Sequence, residues 1–164
     1  MGKLVVVKGD PVSGTDTHNV TGSATIPGPP PSTVTYTGTG DFTYNGAVTG
    51  QLSDFVQING VPVALVTSRS TLNAGEDTPP DGKHSGPQGC NFLPATPVPV
   101  ISSLSITDKP LGTGVPNAGA GSALLTVGGA KVLLDAGKID TCSGTGATAD
   151  STVAANGQEF VTAD

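Results

Sequence analysis

Three times along this chain a β-branched run breaks near a glycine and passes into a segment carrying a histidine or a cysteine. Val5-Val6-Val7-Lys8-Gly9-Asp10 leads to Asp16-Thr17-His18, and Val132-Leu133-Leu134-Asp135-Ala136-Gly137 leads to Asp140-Thr141-Cys142. Between them Val63-Ala64-Leu65-Val66 opens into a long loop holding Gly82-Lys83-His84-Ser85-Gly86 and Gly89-Cys90. The 2 His and 2 Cys of the chain therefore all fall just past strand ends. A chain of this kind reuses one supersecondary unit that cannot bury its faces alone. If three such arms converge, the four side chains converge with them, and a metal at the apex of a small pointed β protein is the expected consequence.

The material for an ordinary core is thin. Aromatic residues make up 4% of the 164 positions and Trp is absent, so the side chains that bury the most area each are nearly missing. There are 24 Gly and 14 Pro, yet Val, Ile, Leu and Thr gather into short runs bounded by Gly, Asn-Gly and Pro, as short strands and tight turns require. No run keeps a helical spacing. The expectation is an all-β chain of about one domain, spanning 1–164, with a staple in place of the missing core.

Asn-Gly and Gly-Gly supply the positive φ that a two-residue type I′ turn demands at both central positions. Phe55-Val56-Gln57-Ile58-Asn59-Gly60-Val61-Pro62-Val63-Ala64 is echoed by Leu124-Leu125-Thr126-Val127-Gly128-Gly129-Ala130-Lys131-Val132-Leu133. A shorter copy is expected around Asn156-Gly157, and Tyr44-Asn45-Gly46-Ala47-Val48 offers another. Two segments interrupt the repeats as expected insertions, at about 27–40, which holds Pro29-Pro30-Pro31, and at 69–99, which is rich in turn residues.

Charge and targeting signals narrow the function. With 7 basic and 13 acidic residues the net charge is −6, the wrong sign for a phosphate-binding surface, so nucleic acid is not an expected partner. The start Met1-Gly2-Lys3-Leu4-Val5-Val6-Val7 is too short in apolar residues for a secretory signal. Synthesis in the cytoplasm follows, and there metal ligation is a better reading of two cysteines than a disulfide. Gly144-Thr145-Gly146-Ala147-Thr148-Ala149 has the letters of a dinucleotide fingerprint but opens no helix, and no Gly-x-Ser-x-Gly elbow occurs. The chain reads as a non-enzyme.

Several phrases resemble the PAAR-repeat proteins that tip the spikes of contractile injection machines: type VI secretion systems, phage-like extracellular injection particles and some phage tails. They are Val5-Val6-Val7-Lys8-Gly9-Asp10-Pro11-Val12, Gly22-Ser23-Ala24, Ile58-Asn59-Gly60-Val61-Pro62-Val63-Ala64, and Gly121-Ser122-Ala123 through Gly129-Ala130-Lys131-Val132. The resemblance implies a short cone of β-hairpins with pseudo-threefold symmetry, its wide base on a trimeric β-helical spike, one tip per trimer. It also implies a metal near the vertex, which in that family is typically held by three His and one Cys. Carried over by position, the ligands are His18, His84, Cys90 and Cys142, a set of two imidazoles and two thiolates that suits closed tetrahedral zinc and leaves iron open. The implied function is to cap and sharpen the spike and help it pierce a target envelope in transient contact with the membrane. Assembly at the tip of a tail-like particle, for delivery outside the cell or into the target, goes with that reading. With no further domain before Met1 or after Asp164, any effector cargo is expected to ride noncovalently. The rival reading is a metal-stapled β adhesion or receptor-binding module.

Overall fold

The computed structural model describes residues 2–26, 28–73, 88–93, 100–107, 113–141 and 151–164. From the N-terminus, β1 (Lys3–Leu4) runs through a turn into β2 (Pro11–Ile26), which returns as β3 (Ser32–Gly50). A short hairpin, β4 (Gln57–Ile58) and β5 (Val61–Pro62), precedes β6 (Arg69–Leu72). After β7 (Gln88–Leu93) and β8 (Val100–Ile106) come β9 (Thr113–Pro116), a 3-10 turn at Ala118–Ala120, and the hairpin β10 (Gly121–Val127) and β11 (Ala130–Leu133). The chain finishes with β12 (Lys138–Asp140), β13 (Ser151–Val153) and β14 (Thr162–Ala163). No α-helix occurs among the described residues, as the composition leads one to expect.

Six strands close into an antiparallel barrel in the order β2, β3, β6, β9, β12, β13 and back to β2. Its registers repeat. Val12 faces Gly46, Ser70 faces Gly114 and Ile139 faces Ser151, which makes three outgoing-and-returning strand pairs. Between those pairs Val48 faces Ser70, Pro116 faces Ile139 and Val153 faces Val12. Closure leaves no free edge on the ring itself, which is how small β proteins avoid edge pairing.

The three repeated runs of the sequence lie where the three units join. Val7 bridges Val63, Leu65 bridges Val132 and Leu134 bridges Val5, so the pairing closes on itself after three steps. At its centre Val6 N–H donates to the Leu133 carbonyl (3.0 Å), Leu133 N–H to the Ala64 carbonyl (2.9 Å), and Ala64 N–H to the Val6 carbonyl (2.9 Å). All three residues are fully buried. Because side chains alternate across extended backbone, Val6, Ala64 and Leu133 enter the core inside the barrel, with Val12, Tyr44, Val48, Ile139 and Val153. Their neighbours Val5, Val7, Val63, Leu65, Val132 and Leu134 enter a second core on the other side, under the short hairpins. A chain poor in large side chains thus builds two small cores on one shared layer.

Each run leaves that layer through an equivalent turn, closed by Asp10 N–H to the Val7 carbonyl, Ser68 N–H to that of Leu65, and Gly137 N–H to that of Leu134. Inside the barrel the Tyr44 hydroxyl meets Ser70 Oγ at 2.9 Å. Gly46 faces the Tyr44 ring so closely that an added Cβ would lie 2.7 Å from Cε1 and collide with the Thr71 carbonyl oxygen. This explains an error of expectation. Asn45-Gly46 is not a hairpin turn; it lies within β3, where the glycine makes room for an aromatic ring.

Beyond the barrel β2 and β3 stay paired to their ends, from Pro11 opposite Ala47 to Ile26 opposite Ser32. In that outer part β7 joins β3 and β8 joins β2, widening the arm to four strands. Residues 32–40 of the first expected insertion are therefore strand, and the second begins with barrel strand β6 at 69–72.

Candidate functional site

The turns Asn59-Gly60 (φ 52° and 79°) and Gly128-Gly129 (φ 59° and 84°) have the positive φ pair expected of type I′ hairpins. They close β4 on β5 and β10 on β11. The third copy does not turn at Asn156-Gly157. Both of those amides instead donate to Asp10 Oδ1, at 2.9 and 2.6 Å. The position of the third hairpin is taken by β1 and β14, with Lys3 opposite Ala163 and Leu4 opposite Thr162, matching Val61 opposite Ile58 and Pro62 opposite Gln57. The third hairpin is thus formed by two strands from opposite ends of the sequence.

Each of the three is introduced by the same side-chain turn. Ser53 Oγ accepts from the amides of Phe55 (3.4 Å) and Val56 (2.9 Å). Ser122 Oγ accepts from Leu124 (3.2 Å) and Leu125 (2.9 Å). Gln158 Oε1 accepts from Phe160 (3.0 Å) and Val161 (2.7 Å). A polar oxygen that bonds the amides two and three residues on is a local alternative to strand pairing, and it fixes the direction of the next side chain.

That side chain points to solvent in every copy. Phe55 is 72% exposed, Leu124 83% and Phe160 62%, the three most exposed large hydrophobic residues among those described. Two of their followers, Val56 and Val161, pack against the second core, while Leu125 stays 41% exposed. The Phe55 ring reaches the tip of the neighbouring hairpin, with Cε1 3.9 Å from where a Cβ on Gly128 would stand. Single exposed apolar residues are ordinary on protein surfaces, but three held by one repeated device are not scattered.

Sequence reading missed this triad because it aligned the hairpins on their Asn-Gly and Gly-Gly turns. The signal that finds it is the aligned run Ser53-Asp54-Phe55-Val56-Gln57-Ile58, Ser122-Ala123-Leu124-Leu125-Thr126-Val127 and Gln158-Glu159-Phe160-Val161-Thr162-Ala163. The third line lacks the serine that would make it conspicuous.

Of the four expected metal ligands, two lie in described strands. His18 is inside β2 opposite Gly40, not in a loop past a strand end. Cys90 is in β7 opposite Thr39, with β3 between it and β2. Asn19 also pairs with Thr39, so Cys90 stands one rung from His18, on strands whose backbones are about 10 Å apart at ordinary sheet spacing. His84 and Cys142 lie outside the described residues. Among the described residues no three His, Cys, Asp or Glu cluster as a metal site would need. No known protein family, curated protein or solved structure matches the chain.

Proposed function

We propose that this protein is a non-enzymatic spike tip, a PAAR-like cone that docks one copy per trimer onto the end of a trimeric β spike in a contractile injection machine. The observation that carries the reading is the triad Phe55, Leu124 and Phe160, exposed from three copies of one turn around a closed three-step layer. A single chain that presents the same apolar contact three times matches a partner that presents the same socket three times, and a closed trimer does so about its axis. The hairpin side is then the base, and the barrel with its arms points away from the spike. Contraction supplies the force that drives the tip through an envelope, and the densely hydrogen-bonded layer resists deformation.

The arm side is where a metal would serve such a device. His18, His84, Cys90 and Cys142 form a donor set suited to closed tetrahedral zinc, with iron the alternative. Bound there, the ion would supply a cross-link between the segments that carry these four residues. Nothing chemical is asked of it.

The test is stoichiometric. Native mass spectrometry of the purified chain mixed with the trimeric spike of the same particle should give one chain per three spike subunits. Replacing any one of Phe55, Leu124 or Phe160 by Lys should weaken the complex at least tenfold, at about 1.4 kcal/mol per decade, and all three together should abolish it. Absence of a complex, or three chains per trimer, would overturn the reading.

A further inference from the structure

The third docking position differs from the other two in how its strands are held. β4 and β5, and β10 and β11, are joined by two-residue turns, whereas β1 and β14 are separated by most of the sequence. The entropic cost of bringing strand ends together rises with the length between them, so the open hairpin needs a local tie that the closed ones do not.

Gln158 has the reach to be that tie. Its Oε1 does what the Ser53 and Ser122 hydroxyls do, accepting from the two amides ahead. A serine has one hydroxyl proton to give, which at Ser122 goes to the Asp164 carbonyl, whereas Nε2 has two. It donates to the Val5 carbonyl at 2.8 Å and to the Val161 carbonyl at 2.9 Å, while Val5 N–H donates to that same Val161 carbonyl at 3.0 Å. The side chain is only 4% exposed, so both of its ends are satisfied within the protein and leaving either unpaired would be costly. One amide therefore fixes the turn that aims Phe160 and grips the opposite strand.

We propose that Gln158 is a latch that couples the placement of Phe160 to the pairing of residues 3–5 with 161–163, so that the three-point face is complete only when both segments are assembled. The proposal rests on the docking reading for its consequence, but the latch itself can be read in the free protein. Gln158→Ser provides the hydroxyl found at the other two positions and removes the Nε2 donations to the Val5 and Val161 carbonyls, while Gln158→Glu keeps the acceptors and removes the same donors.

Hydrogen exchange of the free chain should show the Val5 amide exchanging about tenfold faster or more in both variants. The equivalent Val63 amide, which donates to the Val56 carbonyl, should be unchanged. Spike affinity should fall about tenfold in Gln158→Ser, and adding Phe160→Ala should cost less in that background than in the wild type. An unchanged Val5 amide, or equal acceleration at Val5 and Val63, overturns the latch. Faster exchange with undiminished affinity overturns the coupling. A wild-type chain that binds no spike overturns the docking reading and the coupling with it, while the exchange result still decides the latch.

Discussion

At the scale of single residues the three units are alike in backbone and unlike in chemistry. The fourth residue of the three equivalent turns is Asp10, Ser68 or Gly137. Ser68 Oγ accepts from the Leu65 amide within its own turn, and Asp10 Oδ2 accepts from the Val7 amide in the same way, at 2.7 Å. Asp10 alone has a second oxygen to offer, and it takes the Asn156 and Gly157 amides of the last unit. A buried carboxylate receiving three backbone N–H groups stands in for the turn that Asn156-Gly157 would otherwise form. Replacing it by Asn puts an amide donor against one of those N–H groups. Asp10→Asn should therefore lower unfolding stability by about 2–3 kcal/mol, measured by denaturant titration at neutral pH. A loss below about 0.5 kcal/mol, the range of ordinary surface changes, would show that the carboxylate is dispensable. None of this was legible beforehand, because Asn-Gly has the same letters whether it turns, as at Asn59, sits inside a strand, as at Asn45, or donates to a remote carboxylate, as at Asn156.

At the scale of elements, the runs 5–7, 63–65 and 132–134 were readable because short apolar runs that contain valine and are bounded by turn residues have few alternatives to extended backbone. Two of the hairpins were readable because their turns demand positive φ. What could not be read was how far the first arm extends. Its stretch 33–50 alternates Thr, Tyr and Phe with small residues as strands do, but the alternation does not name the partner, and it is the pairing with β2, from Pro11 opposite Ala47 to Ile26 opposite Ser32, that sets the length. The same uncertainty applies to the metal ligands: His18 was expected past a strand end and stands within β2, on the far side of β3 from Cys90. If the proposed ion joins these strands to the segments carrying His84 and Cys142, the purified protein should contain about one zinc per chain, as structural sites do. His18→Ala and Cys90→Ser should each release it and lower the thermal midpoint, because the binding free energy of a structural ion is folding free energy. Elemental analysis alongside calorimetry reads both. Metal-free protein that melts where the wild type does would remove the ion from the account.

At the scale of the whole molecule, the layer formed by the three runs belongs to no single unit. Each central amide bonds to a carbonyl of a different unit, and side chains from its two faces fill both cores. No one of these three hydrogen bonds can open outward to water while its unit stays in place, since Val6, Ala64 and Leu133 are covered by the barrel on one side and the hairpins on the other. The strand pairs of the β2–β3 arm lie outside the ring, and the β1–β14 pair is held by only two rungs. Amides that open only by global unfolding exchange with the full stability of the protein, and the rest exchange sooner. The amides of Val6, Ala64 and Leu133 should therefore form the slowest class in native-state hydrogen exchange. Their opening free energies should agree with one another and with the unfolding free energy from denaturation. If one of the three exchanged well ahead of the others, the units would be opening separately. The layer would then be three neighbouring contacts instead of one cooperative closure, and a tip made that way would have no common seam to carry load from base to arms.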